Sequence, residues 1–474
     1  MSAKMEIFAG AREKAIKTSP ARERMALLFD DGSFTELDAF AKAEGGSAGV
    51  VTGYGAIEGT TVFAFAQDKT DASGAVGKVQ AAKIKKLYEL AVKTGAPVVG
   101  IYDSFGAALR EGNALLAAYG EMLLWASNLS GVVPQISVIA GTCAGTAALL
   151  AAGADIVIMS ETAEYFLTAP SIEKAKGAGA AGAGSAANAA AAGVAHIVTK
   201  TTDEAIAKAK HIVSMLPQNN LATLPIFDFT AKAGVEAALT AACEGDARNT
   251  AEIIENVFDE GSVVELMPTY GAKGAYIALA TMGGFTCGVA ATKGGGLCRK
   301  NCTKLSILMQ LCDAYQIPVV TFVDVNGFVP DAEAELAGLA KYAAALAHIY
   351  AEATTAKIAV ITGKAYGAAY ITLAGKSANA DMVFAWPSAV ISALEPETAV
   401  AILQGDAVSA QTDMSALVAN YIATEASPYK ACEQGYVDDV IEPANTRDML
   451  ISALDMLSGK RVNRLPKKHG NLPL

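Results

Sequence analysis

Twice in this chain an apolar run ends in a glycine, three further residues and a second glycine, after which small residues open a helix. The strings are GTCAGTAALL, containing Gly145 and Thr146, and GKAYGAAYITL, containing Gly367, Ala368 and Ala369. Small residues allow a substrate to approach the backbone closely. The first N–H groups of a helix lack an intrahelical acceptor and lie at the positive end of its dipole. Such donors can hold an oxygen on which negative charge develops, forming an oxyanion hole from main chain alone. Close packing of a helix on a sheet asks for the same small residues, and a single copy would be read that way. Two copies in register favour a site.

Side-chain chemistry is scarce by comparison. Of the four histidines, His196 in GVAHIV reads as a buried structural residue and His469 lies in the tail. No GxSxG elbow or HExxH pair stands out, so serine-hydrolase and zinc-protease chemistry lack support. The seven cysteines form no CxxC pair. Cys298 and Cys302 have no second Cys/His pair near them and read as buried or loop thiols, so no metal is expected. The run GAGAAG, from Gly177 to Gly182, satisfies GxGxxG but follows SIEKAK rather than an apolar strand. It reads as a mobile Gly/Ala loop, not a dinucleotide site.

The elements that must position the two glycine motifs are themselves written twice. LLFDDGSFTELDAF matches NVFDEGSVVELMPTY, and KTGAPVVGIYDSFG matches YQIPVVTFVDVNGF. ISVIAGTCAGTAALLAAGADIVIM then matches IAVITGKAYGAAYITLAGKSANADMVFA. Gly32 thereby pairs with Gly261, Pro97 with Pro318, Asp103 with Asp324, Gly145 with Gly367, and Asp155 with Asp381, at nearly constant separation. In the first copy, GVVTGYGAIEGTTVFAFAQD predicts two or three strands with glycine turns. Val79, Ile84, Leu87 and Leu90 mark one face of a helix in KVQAAKIKKLYELAVKTG. PVVGIY is then a strand apolar on both faces, as in a parallel sheet. Alternation of strand, helix and strand implies βαβ units and an α/β fold. The linker between copies is expected between Pro217 and Arg248, giving domains 1–225 and 226–474. The basic, proline-containing tail from Lys460 to Leu474 is expected to wrap a neighbour or the surface.

Composition bounds the function. Of 474 residues, 52% are hydrophobic and 18% charged, which suits a well-packed enzyme rather than a disordered chain. A formal net charge of −11 argues against a nucleic-acid partner. The stretch from Met122 to Ala154 carries no charge, yet Asn128, Ser130, Pro134 and Gln135 interrupt it. A buried strand from Ile136 to Ala140, a tight glycine turn and a buried helix account for it better than a membrane span. An odd cysteine count without a signal peptide fits the cytoplasm.

As a set, ARERMALLFDDGSFTELD, VVTGYGAIEG, KTGAPVVGIYDS, GVVPQISVIAG, YFLTAP, LPQNN, CDAYQIPVVTFVDVNGFVP, KAYGAAY, ADMVFAWPSA, GYVDDVIEPANTR and KKHGNLPL are highly specific. The chain resembles the carboxyltransferase subunits of biotin-dependent acyl-CoA carboxylases and decarboxylases over nearly its whole length. The resemblance implies two tandem crotonase-like (ClpP/crotonase) lobes, the first taking acyl-CoA and the second carboxybiotin, assembled as a homo-oligomer, a trimer-based hexamer. It places the thioester oxygen at the N–H groups near Gly145 and Thr146, and the biotin ureido oxygen at those of Ala368 and Ala369. Ser104, Phe105 and Gly106 on one side, and Gly367, Tyr370 and Ile371 on the other, would line the acyl-CoA and biotin sites. It also implies that biotin supplies the base itself, which explains the missing catalytic side chains.

Several residues depart from the family pattern. Ser-Gly-Gly-Ala-Arg is here Ser104, Phe105, Gly106, Ala107 and Ala108, so the arginine is lost. The double glycines of the two holes become Gly145-Thr146 and Gly367-Ala368, and a backbone donor survives that change only where φ is negative. Pro-Gly-Phe-x-Pro-Gly becomes Asn326, Gly327, Phe328, Val329, Pro330 and Asp331, and Ile371 stands where propionyl-CoA carboxylases often have aspartate. No Met-Lys-Met biotinylation site or ATP-binding module is present, so biotin is expected on a separate carrier protein. The further partner is then a biotin carboxylase or a membrane decarboxylase subunit, the latter bringing the chain to a membrane. A sodium-pumping methylmalonyl-CoA-type decarboxylase is the favoured complex. The alternatives are an ATP-dependent acyl-CoA carboxylase and a divergent non-catalytic scaffold.

Overall fold

The computed structural model describes residues 3–43, 46–168, 172, 182–245, 248–378, 380–405, 413–462 and 464–472. Most of the GAGAAG run lies outside the described residues. The chain divides into two compact units, Met1–Pro225 and Ile226–Leu474.

In the first unit the strands are β1 (Thr35–Leu37), the short pair β2 (Lys42–Ala43) and β3 (Gly46–Ser47), β4 (Val50–Ile57), β5 (Thr60–Gln67), β6 (Val98–Ser104), β7 (Gln135–Ala144), β8 (Ile156–Ser160), β9 (Glu164–Phe166) and β10 (Ile197–Thr199). The main sheet runs β1-β4-β5-β6-β7-β8-β10, with β9 beside β7. Its first two pairings are antiparallel and the rest parallel. The antiparallel hairpin turns on Glu58 and Gly59, both at positive φ, as a tight two-residue turn requires. β6 is buried on both faces, as expected of a parallel strand under helices.

The second unit repeats the plan. Its strands are β11 (Val264–Leu266), β12 (Ala275–Met282), β13 (Phe285–Thr292), β14 (Val319–Val325), β15 (Lys357–Tyr366), β16 (Met382–Ala385), β17 (Val390–Ser392) and β18 (Asp439–Val440). They run β11-β12-β13-β14-β15-β16-β18, with β17 beside β15, so each strand has its counterpart in the first sheet. The likeness extends to single bonds. Asp155 N–H donates to Gln135 O at 2.9 Å while its Oδ2 accepts Gln135 N–H at 2.8 Å; Asp381 does the same to Lys357 at 2.9 and 2.7 Å.

The helix Lys78–Thr94 packs Ile84, Leu87 and Ala91 against the first sheet and ends at Gly95, whose φ of 64° closes an αL cap on Ala91 O. Its counterpart Arg299–Ala314 starts at Cys298, whose side chain accepts from the helix start, and Cys302 lies buried one turn on. Burial pushes the Cys302 thiol up to about 12, so it is an inert core group.

The charge-free stretch departs from expectation in one respect. β7 does not stop before Gly141 but continues to Ala144, and the turn falls at Gly145. Gly141 is small for another reason: a Cβ there would lie 2.0 Å from Asp103 Oδ1. Among the described residues, no helix is long and apolar enough to cross a membrane. The basic tail lies along its own unit, with Lys460 paired to Asp381 at 2.7 Å and Arg464 to Asp313 at 3.1 Å. His196 is buried, and its Nδ1 accepts Val157 N–H at 3.1 Å; in the other unit Asp438 Oδ2 accepts Val383 N–H at 2.8 Å.

Candidate active site

In the first unit β7 delivers the chain to Gly145, at φ 70° and ψ −138°, and the helix Thr146–Ala152 follows directly. Only glycine reaches that backbone region without strain. Gly145 N–H is taken by Phe166 O of β9 at 2.9 Å, which pins the turn. The helix has no acceptor for the N–H groups of Thr146 and Ala147, and no other group among the described residues takes them. Thr146 sits inside the helix and not at positive φ, so its donor is undisturbed by the loss of glycine. Ala147 was not singled out from sequence; its place as second residue of the helix is the signal that finds it.

At the neighbouring strand end, Ser104 is buried and Phe105 is exposed. Ser104 Oγ accepts Gly106 N–H at 3.1 Å, and Gly106 has φ 113°. Lys69 Nζ lies 4.4 Å from the Phe105 ring centroid and 3.4 Å from Thr142 Oγ1. Ser104, Phe105 and Gly106 therefore border the strand that leads into Gly145, since β6 pairs with β7 through Ser104 and Cys143.

In the second unit β15 delivers the chain to Gly367, at φ 55°, which begins the helix Gly367–Ala374. A Cβ at Gly367 would meet Ala393 O at 3.1 Å, so space and backbone both demand glycine. Ala368 and Ala369 are helical residues whose N–H groups precede the first intrahelical bond and have no acceptor among the described residues. Tyr370 Oη donates to Tyr436 O at 3.2 Å, while Ile371 is exposed at the helix surface. Gly327, at φ 106°, occupies in this unit the place of Gly106 in the other: its carbonyl accepts Leu297 N–H at 2.9 Å, as Gly106 O accepts Val76 N–H at 2.8 Å.

What this arrangement offers in each unit is a set of main-chain donors at the start of a helix. The family model for the carboxyl transferase domain matches residues 17–472. The chain belongs to the carboxyl transferase family. This carboxyltransferase is 39% identical over 498 residues to methylmalonyl-CoA decarboxylase subunit alpha of Veillonella parvula, covering 99% of the chain and 97% of that protein. It is 36% identical over 479 residues to the mitochondrial propionyl-CoA carboxylase beta chain of Homo sapiens, covering 96% and 88%. Among solved structures, transcarboxylase 12S, described as a hexamer with methylmalonyl-CoA and methylmalonic acid bound, matches with a TM-score of 0.94 and 33% identity over 100% of this chain and 99% of that one. The carboxyltransferase is thus an enzyme built from two crotonase-like lobes, and main-chain oxyanion stabilisation is chemistry its fold can perform without catalytic side chains.

Proposed function

We propose that this carboxyltransferase moves a carboxyl group between biotin, carried on a separate protein, and the α-carbon of a short acyl-CoA, within a methylmalonyl-CoA-type decarboxylase complex. The observation that carries the reading is the repeated helix start: Thr146 and Ala147 in one lobe, Ala368 and Ala369 in the other, each freed by a positive-φ glycine. The first pair holds the thioester oxygen as the α-carbon gains enolate character; the second holds the ureido oxygen of biotin. Biotin, when bound, would supply the ureido nitrogen that accepts the carboxyl group and gives up its proton to the α-carbon, the reverse exchange applying in the carboxylating direction. The protein's part is to orient both partners and meet developing charge, each such donor being worth roughly 3 kcal/mol. Ser104, Phe105 and Gly106 would border the acyl-CoA, and Gly367, Tyr370 and Ile371 the biotin.

The decarboxylase alpha subunits of Veillonella parvula and Propionigenium modestum support the direction of transfer. In that setting the partners are a biotin carrier protein and a membrane subunit that pumps sodium, the enzyme itself lying in the cytoplasm as a hexamer. An ATP-dependent acyl-CoA carboxylase would use the same half-reaction, and the propionyl-CoA carboxylase relatives favour it as the second reading. Capture on streptavidin separates the two: a membrane subunit retained with a biotinylated carrier supports the decarboxylase, a biotin carboxylase the alternative. A non-catalytic scaffold gains no support from the glycines replaced by Thr146 and Ala368, because those substitutions fall inside helices.

Ala368→Pro tests the biotin side. Proline is tolerated in the first turn of a helix, so the change removes one donor and little else. Transfer from methylmalonyl-CoA or malonyl-CoA to free biotin should be abolished while acyl-CoA binding by calorimetry persists. Retained transfer refutes the assignment of the second hole.

A further inference from the structure

The same three-part contact lies ahead of both helix starts. β6 slips register against β7 between Tyr102 and Ser104, and β14 slips against β15 between Val323 and Val325. The residue at each slip is an aspartate. Asp103 Oδ1 accepts Thr142 N–H at 3.3 Å, and Asp324 Oδ1 accepts Lys364 N–H at 2.9 Å. Each donor stands three residues before the positive-φ glycine of its lobe. To let the carboxylate reach that N–H, the receiving strand gives up a side chain. A Cβ at Gly141 would lie 2.0 Å from Asp103 Oδ1, and one at Gly363 would lie 2.5 Å from Asp324 Oδ1. Neither glycine has a positive φ, so space alone demands them.

An arginine closes each contact from the other side. Arg24 donates to Asp103 Oδ2 at 2.9 Å. Arg248 reaches to 3.9 Å of Asp324 Oδ2 and donates to Ser388 Oγ at 3.0 Å. Both aspartates are buried, at 6% and 8% exposure. Fold stability gives little reason to keep such pairs, because well-packed apolar residues do as well or better in a buried ion pair's place. Their recurrence at one point of two diverged lobes calls for a role tied to that point.

We propose that Arg24–Asp103–Gly141 and Arg248–Asp324–Gly363 are positioning clamps that fix the strand ends entering the glycine turns and thereby aim the donors of the two oxyanion holes. The clamps act through the backbone at 142–147 and 364–369. The aim of those donors rests on the function proposed above, whereas the mechanical part does not.

The test uses the full chain carrying Asp103→Ala or Asp324→Ala, with the Asn variants beside them. Amide hydrogen exchange in peptides covering 142–147 or 364–369 should quicken by about tenfold or more in the alanine variant of that lobe only, since the removed acceptor frees the N–H to open locally. The Asn variants keep the acceptor and give up only the ion pair, so they should recover most of the protection. In transfer from malonyl-CoA to free biotin, kcat should fall by at least about tenfold with KM for malonyl-CoA nearly unchanged, as expected when contacts made in the transition state are misaimed. Unchanged exchange in both alanine variants, or kcat within about twofold of the parent where one lost oxyanion donor costs about 10²–10³-fold, overturns the proposal. A parent that transfers no carboxyl group yet shows the exchange pattern sinks the proposed function and leaves the mechanical clamp standing. If an alanine variant does not fold, Gly141→Ala and Gly363→Ala, whose added Cβ would stand 2.0 and 2.5 Å from the aspartate Oδ1 and push the carboxylate off the N–H, are read in the same way.

Discussion

Gly145→Ala separates what the glycine does for the backbone from what it does for space. No heavy atom lies within 4 Å of where a Cβ would stand, so a methyl group meets no steric obstacle. The cost is conformational: at φ 70° and ψ −138° a non-glycine residue carries about 1–3 kcal/mol of strain. The chain can escape that strain by rotating residue 145 to negative φ. Rotation breaks the bond from Gly145 N–H to Phe166 O at 2.9 Å, a net loss of about 0.5–1.5 kcal/mol. The rotation is therefore the cheaper outcome, and it swings the following peptide so that Thr146 N–H leaves the hole. Losing one such donor costs about 2.7–4 kcal/mol, or 10²–10³-fold in kcat. The expected variant is folded, destabilised by about 1 kcal/mol, and slowed about a hundredfold or more in transfer from methylmalonyl-CoA to free biotin. Thr146→Gly is the control, since Thr146 is helical and its donor does not depend on the side chain. It should lose less than about 1 kcal/mol of stability and only a few-fold in kcat. Gly145→Ala with kcat within about threefold of the parent, or Thr146→Gly losing as much as Gly145→Ala, refutes the reasoning.

Two further outcomes concern stability. Burial lowers the His196 pKa to about 4, whereas an unfolded histidine takes a proton near 6.5. Between those values the unfolded state binds more protons, so stability rises with pH across the window and is lost on acidification from about 6.5 to 4. His196→Gln should flatten that dependence in thermal melts, and an unchanged slope would show that the histidine is not its source. In the second lobe, Trp386 Nε1 donates to Thr446 Oγ1 at 3.0 Å with both residues fully buried. Trp386→Phe should therefore cost about 1–3 kcal/mol for the unmade bond, with a cavity term added, read as a lower urea midpoint. A midpoint equal to the parent's would mean that the bond contributes nothing net.

The duplication was legible because it leaves matched glycines, prolines and aspartates at steady separation, and each sheet strand has its counterpart. Both positive-φ glycines of the helix starts were legible for the same reason. β9 and β17 were not, being three residues long and lying off the main strand order, although β9 supplies the acceptor that consumes Gly145 N–H. The end of β7 was misplaced because Gly141 reads as a turn signal, while its smallness serves the passage of Asp103. The clamps escaped because Arg24 and Arg248 come from segments far ahead of the aspartates they hold. Matching also fails where unlike residues play the same part. His196 and Asp438 both accept the N–H of a central strand, one through a ring nitrogen and one through a carboxylate.

The departures from the family's double glycines now have a physical order. In each hole the first glycine carries positive φ and is kept, at Gly145 and Gly367. The second position begins or continues a helix, where any L-residue holds its N–H in the same direction, and there threonine and alanine stand. Side chains thus change only where the donor does not depend on them. The proposed donors keep their places too, as the two residues after the glycine: Thr146 and Ala147 in one lobe, Ala368 and Ala369 in the other. What has diverged is how the glycine itself is held. In the first lobe its N–H is bound by Phe166 O of β9, and no heavy atom stands within 4 Å of where a Cβ would lie. In the second, Ala393 O stands 3.1 Å from where a Cβ would lie, just past the end of β17. The short strand beside each hole therefore guards its glycine, by a hydrogen bond in one lobe and by close approach in the other. Two copies of one ancestral element have kept the glycine, the donors and the aspartate-bound strand end before them, and have varied only the contact that fixes the turn.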